Sequence, residues 1–215
     1  MVLDITVQLI ETMGSDLSVV NAARVSYDKT SDWVDGELSA RDEKLIQYLA
    51  KHKHTSPFGH AFASFRVAAP VFVARQLVKH KFLRWNEVSR RYINETPRFY
   101  EPDWRSKPEN SKQGSGGPME ISLDAEMLYH ATIRNALTTY DLMIKEGVAP
   151  EQARAILPQN MMTSWVWSGS LDAFADMCKL RCAHDTQYET RLVATEIDVV
   201  MENEFPVSWS ALIYD

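Results

Sequence analysis

The fourteen residues from Lys79 to Tyr92 limit what this chain can fold into more than any other stretch. They carry five cationic side chains, one histidine, one carboxylate, two hydroxyls, an amide and an indole. Lysine and arginine are almost never fully buried unless paired. The stretch therefore belongs on the surface, dividing the apolar elements before it from those after it. A solvated helix face accounts for Lys79 and Lys81, but not for Trp85 or the run from Asn86 to Tyr92. Guanidinium forks, hydroxyls and an amide brought together in so short a segment suit a phosphate-bearing small molecule. The plain alternative is a charged helix end running into a surface hairpin.

On either side of this stretch the hydrophobic periodicity alternates between strand and helix. Leu3, Ile5, Val7 and Leu9 alternate with polar residues as a half-buried strand does, and Met13-Gly14-Ser15-Asp16 breaks it. A helical spacing follows from Leu17 to Tyr27, then a polar loop over Asp28–Leu38. Ser39 and Asp42 open a helix in the manner of a capping box, with Leu45, Ile46 and Leu49 inward and an end near His52. Ala61, Ala63, Phe65 and Val67 mark a second strand, and Pro70 starts a helix whose buried stripe is expected at Val71, Ala74 or Arg75, and Val78. On that helix Gln76 and Lys79 lie within one turn and can address one ligand.

Residues 101–120 are rich in Pro, Gly, Ser, Lys and Glu and read as a long flexible loop. A long helix from Ser122 to Gly147 carries Tyr129, Ile133, Leu137, Tyr140 and Ile144 on one face, suited to core or subunit packing. A short helix starts at Pro150. A strand over 162–167 follows, then a helix capped by Ser170 with Leu171, Phe174 and Cys178 inward, and a last helix from His184 to Glu204 that Pro206 ends. The fold class expected is α+β, a single domain over 1–215 with helices packed on a mixed or antiparallel sheet.

Composition removes several functions. A net charge of −6 opposes a surface for polymeric nucleic acid. No apolar run reaches the ~18 residues of a membrane span, and the first residues lack a charged signal region. Cys178 and Cys182, one helical turn apart, form no disulfide framework and suit a reducing, cytoplasmic setting. His52, His54 and His60 surround a Pro-Gly turn with no carboxylate or cysteine nearby, so no metal is expected there. Gly114-Ser115-Gly116-Gly117 lacks the preceding strand and the Lys-Ser/Thr of a phosphate cradle, and no Gly-x-Gly-x-x-Gly opens a helix.

The surface stretch resembles the signature of the flavin-dependent thymidylate synthases: Arg-His-Arg, seven residues, then Ser. Here Lys79-His80-Lys81 is followed by seven residues and Ser89, with Asn86, Glu87, Arg91 and Tyr92 in register. The two arginines are replaced by lysines, which keeps charge and loses planar bidentate donation. The likeness extends to Phe72–Gln76 and to His54-Thr55-Ser56-Pro57-Phe58-Gly59-His60, which is similar to a flavin-touching loop that often has Glu at the place of Gly59. It extends also to Gln152-Ala153-Arg154, Leu157-Pro158 and Leu180-Arg181. Where the family shows Asn-x-Arg and then Asn for flavin contacts, this chain has Ser170-Leu171-Asp172 and Asp176.

The resemblance implies reductive methylation of dUMP to dTMP, with methylenetetrahydrofolate as carbon donor, NADPH as reductant and FAD as hydride carrier. It also implies a homotetramer with active sites between subunits. Gln76, Lys79, Glu87, Ser89, Arg90, Arg91, Arg154 and Arg181 would hold dUMP. His54, Ser56, Lys79, His80, Lys81, Glu87, Ser170, Asp172 and Asp176 would hold the flavin. Arg181 would be catalytic, stabilising negative charge on the pyrimidine; the ordinary reading makes it a surface arginine paired with Asp185. The rival from another class is a non-catalytic nucleic-acid-binding module that uses the cations of 79–92 with Trp85 as a stacking platform. Flavin absorption in the purified protein separates the two.

Overall fold

The computed structural model describes residues 4–93, 95–109 and 113–214, so Leu3 and residues 110–112 of the expected loop lie outside them. Among these residues four strands form one antiparallel sheet in the order β1-β2-β4-β3: β1 Thr6–Met13, β2 Phe62–Pro70, β3 Arg84–Glu87 and β4 Met162–Ser170. The helices are α1 Asp16–Arg24, α2 Ala40–Lys51, α3 Val71–Leu77, α4 Leu123–Lys145, α5 Pro150–Ala153, α6 Leu171–Arg181, α7 Tyr188–Glu204 and α8 Pro206–Tyr214. The domain is α+β, and its sheet is antiparallel throughout.

Alternation along β2 places Ala63, Phe65, Val67 and Ala69 on the buried face, with Trp165 and Trp167 of β4 beside them. Phe174 packs edge-on against both Phe65 and Trp167, at 5.3 and 5.5 Å between ring centroids. Such large, fully buried aromatic groups are the main apolar contribution to the core. β1 differs from its expected bounds because its pairing shifts between Leu9 and Glu11. The irregularity exposes Ile10 and Glu11 in succession and lets the edge strand continue to Met13.

Two helices depart from expectation. The buried positions of α3 are Val73, Ala74 and Leu77, whereas Val78 is exposed and Val71 only partly covered. The helix follows directly from β2, so the direction in which that strand delivers it, rather than its own spacing, decides which side faces the sheet. α7 begins at Tyr188 rather than His184 and stops at Glu204, just before Pro206, as expected, but Pro206 also opens a further helix, α8. That start is fixed from far away in sequence. The buried carboxylate of Asp16 accepts hydrogen bonds from the Val207 and Ser208 amides at 3.0 and 2.8 Å. These are two of the amides that a helix start leaves without partners.

Around α2, Ser39 receives the Asp42 amide as expected, and the Asp42 carboxylate accepts from Arg24, Ser31 and Ser39. Burial raises the Asp42 pKa, but these donors together outweigh it and the net shift is downward. The segment after β3 is tied back by the Ser106 amide to the Gly117 carbonyl and by Trp104 against Tyr129, and Arg105 pairs with Glu189. Replacing Asp16 by Ala removes a cap worth about 1–2 kcal/mol. Thermal unfolding should show that loss, and hydrogen exchange should accelerate first in α8. Asp16→Asn, which keeps one accepting oxygen but turns an NH₂ donor toward the other amide, should recover only part of the stability.

Candidate active site

Register brings the first group of side chains together. β2 and β4 are antiparallel, with Phe62 opposite Ser170 and Pro70 opposite Met162. α3 therefore leaves one end of the strand pair and α6 leaves the other. Both fold back along the sheet, and their C-terminal ends meet. There the Arg181 guanidinium donates from Nε to His80 Nε2 at 3.0 Å and from Nη2 to the Gln76 carbonyl at 3.5 Å. A cation at converging helix C-termini is favoured by the partial negative charge of their free carbonyls. The surface pair with Asp185 that the ordinary reading offered does not form; no ion pair to Arg181 is present among the described residues.

His80 can accept this bond only as neutral imidazole. Burial, and then the Arg181 charge, lower its pKa to about 4, and burial lowers that of Arg181. Neutral Nε2 as acceptor leaves the proton on Nδ1. Gln76 and Arg181 line a cavity of about 390 Å³ together with Leu180, Thr186 and Gln187.

On the other flank of α3 lies a cleft of about 570 Å³, lined by Arg75, Glu87, Ser89, Arg90, Glu151, Arg154 and Thr163 among others. Its floor explains how the cationic stretch is held. The chain turns through a left-handed Phe82, and Leu83 then tucks over Gly169. A Cβ at Gly169 would stand 2.3 Å from a Leu83 methyl, so any larger residue would push that side chain aside. β3 then pairs with β4, and Trp85 stacks on Trp165 with ring centroids 4.3 Å apart. Leu83 and Trp85 are thereby anchored inward, while Phe82, Val88 and most of the stretch's cations stay in solvent. Glu87 is fixed by Thr163 Oγ1 at 2.8 Å and by Trp85 Nε1 at 3.2 Å.

The remaining expected residues lie elsewhere. Arg91 does not line the cleft; its guanidinium sits 5.1 Å from the Tyr92 ring centroid and touches Ser89 Oγ. Lys79 and Lys81 are exposed, as are His54 and Ser56 on the turn after α2. Ser170 donates to Asp172 at the start of α6, and Asp176 faces solvent. At eleven residues and ~1.5 Å rise per residue, α6 holds Asp172 and Arg181 roughly 14 Å apart. One chain thus brings Glu87, Ser89, Arg90 and Arg154 together, and Gln76, His80 and Arg181 together, but does not unite the two groups or add the histidine turn.

Two features escaped the sequence. Arg75 adds a third arginine to the cleft. A hollow of about 450 Å³ between α1 and α2 gathers Lys29, Arg41 and Lys44 around Tyr27 and Tyr48, and the Tyr48 ring also meets His52 and His54, at 4.2 and 6.1 Å. Its cations are spread through a polar loop and the outer face of α2, where they read as ordinary solvated charge. Among the described residues no three His, Cys, Asp or Glu side chains are arranged to hold a metal, and no helix is long and apolar enough to cross a membrane.

Cationic donors and a fixed carboxylate in a cleft at the scale of a small molecule put the chain in the class of α+β proteins with a site suited to a small anion. Within that class it belongs to the thymidylate synthase complementing protein family, whose profile it matches over residues 8–207. The flavin-dependent thymidylate synthase of Thermus thermophilus is 37% identical over 206 residues, covering 95% of this chain and 74% of that protein. The Kosmotoga olearia enzyme of the same name is 35% identical over 210 residues, covering 96% and 89%. The crystal structure of the UMP/dUMP methylase PolB from Streptomyces cacaoi bound with 5-Br dUMP superposes with a TM-score of 0.85 at 29% identity, over 98% of this chain and 95% of that one.

The depressed pKa of His80 has a measurable sign. An unfolded chain takes up a proton on this histidine near pH 6.5, whereas the folded one resists until about 4. Stability from this group is therefore complete above pH 6.5 and falls as pH drops toward 4. Imidazole nitrogen NMR should show His80 neutral with Nδ1 protonated at pH 5.5; a protonated ring at that pH would contradict the Arg181 contact.

Proposed function

We propose that this chain is a flavin-dependent thymidylate synthase, converting dUMP to dTMP with methylenetetrahydrofolate as carbon donor, NADPH as reductant and FAD as cofactor. The observation that carries the reading is Arg181. It is a guanidinium held by a neutral histidine and a backbone carbonyl, with its remaining N–H groups free to meet a ring that gains negative charge. Arg154, Arg90 and Ser89 offer the charge and hydroxyl that a 5′-phosphate needs, and Glu87 can accept from the sugar or the cofactor. Lysines at 79 and 81 preserve the positive charge of the family signature.

The donor set fits a flavin dinucleotide in charge and chemistry. The Lys29-Arg41-Lys44 hollow adjoins the histidine turn through Tyr48 and suits a pyrophosphate. Lys79 and Lys81 present further cations, and Ser56 a hydroxyl. When bound, the flavin supplies the hydride chemistry that no side chain here can supply. His80 would stay neutral beside it, and Arg181 would bring its positive charge to the pyrimidine. Cys178 is buried against the Ala194 carbonyl and its thiol pKa is raised, chiefly through Cys182 and burial, so it is poorly suited to act as a nucleophile, and the proposed reaction calls for none. Two unpaired thiols also suit a cytoplasmic enzyme.

Assembly into a homotetramer with shared sites would unite the separated groups. α4 supports this reading: within the chain it packs on α5, on the turn after it and, through Tyr129 and His130, on the segment around Tyr100 and Trp104, while Leu123, Met127, Leu128 and Leu142 are more than half exposed. Purified protein should show flavin absorption bands. Arg181→Ala should cost ~10²–10³ in turnover to dTMP with flavin content and melting temperature near parental. Parental turnover in that variant, or a colourless protein that binds no added flavin, would contradict the proposal.

A further inference from the structure

One buried charge beside the Arg181 cavity has no part in the function above. Glu189, in the first turn of α7, is 2% exposed. Its carboxylate pairs with Arg105 and accepts from Gln187 Nε2 at 3.3 Å. The other end of the Gln187 amide, Oε1, accepts from Nε2 of Gln76. An ionised carboxylate can only accept, so it draws the NH₂ end of Gln187 toward itself. Oε1 of Gln187 then faces Gln76, Gln76 has to donate, and its own Oε1 is left as an acceptor. An amide can rotate end for end and sets no such direction alone. Here a single buried charge orders two amides in series.

Gln76 and Arg181 line the same cavity. Arg181 has used Nε on His80 and one Nη2 hydrogen on the Gln76 carbonyl, which leaves Nη1 as donor. An acceptor from Gln76 and a donor from Arg181, offered on the wall of one cavity, would together complement an imide edge, N–H next to C=O. They would oppose an amidine edge, where a bare ring nitrogen stands next to an amino group. We infer that Gln187 and Glu189 are positioning residues that fix Gln76 as an acceptor, so that the cavity selects a uracil-type edge over a cytosine-type edge. The inference rests on the nucleotide reading of the site.

The test is equilibrium binding of dUMP and dCMP to flavin-loaded protein, for the parent and three variants. The parent should prefer dUMP by about 100-fold or more, since a wrongly paired polar edge is strongly rejected. Glu189→Gln removes the acceptor-only group and Gln187→Met removes the first amide; each should lower that preference about tenfold or more. Combining Gln187→Glu with Glu189→Gln moves the carboxylate next to Gln76, where it again compels Gln76 to donate, so the preference should return toward the parental ratio. A purely structural pair would make the double variant worse than either single one and leave the ratio unmoved. Folded single variants with the parental ratio, or a double variant with less preference than Glu189→Gln, would overturn the inference, as would a parent that binds both nucleotides equally. A parent that binds neither would overturn the nucleotide reading itself.

Discussion

The antiparallel pairing of β2 with β4 is the constraint on which the rest of the structure depends. Each strand has nine residues and spans roughly 27–30 Å at ~3.3 Å per residue. Each runs without a loop into a helix, and the two helices start from opposite ends of the pair. α3 and α6 have seven and eleven residues, together about 27 Å at ~1.5 Å rise. Two helices folding back over strands of that length have to meet end to end, and they meet where Arg181 reaches His80 and Gln76. The same pairing sets Trp165 and Trp167 beside Phe65 under the helices. Core and candidate site are thus two consequences of one register, and a slip by one residue would turn every side chain of the pair to the wrong face.

Electrostatics at that junction are cooperative in a simple sense. A protonated histidine beside Arg181 would place two cations in a half-buried site, and burial disfavours each charge separately. Keeping His80 neutral leaves one cation, and the helix ends and the Gln76 carbonyl hold it in place. α3, about 10 Å across with its side chains, stands between this junction and the cleft of Glu87, Ser89, Arg90 and Arg154. A wall of that kind is hard to reconcile with a ligand bound wholly within one chain, and α4 leaves an apolar surface ready for another.

Much of this was legible in the residues. The alternations of 61–67 and 162–167, the Ser39 and Ser122 caps and the long spacing of α4 are local signals, and the structure follows them. The motifs of 79–92 identified the family because their residue types are unusual at any one position. What stayed hidden depends on distance. The start of α8 needs a carboxylate from Asp16, far away in the chain; without it, Pro206 reads only as a stop. The buried side of α3 follows from the strand before it, and its outward Val78 is as apolar as its inward Val73. Arg181 could be placed on a helix, but its partner His80 lies just past the end of another, and no spacing links them. The same holds for Lys29, Arg41 and Lys44, which are ordinary surface charges until α1 and α2 pack side by side.

The central claim is that the Arg181 junction and the Arg154 cleft serve one ligand across a subunit boundary. Coexpression of Arg154→Ala chains with Arg181→Ala chains tests it most directly. If sites are shared, some interfaces join an intact cleft to an intact junction, and the mixture should recover up to about a quarter of parental turnover although each variant alone is nearly inactive. A mixture no more active than the separate variants would mean that both arginines act within one chain, and the account of the site would be wrong.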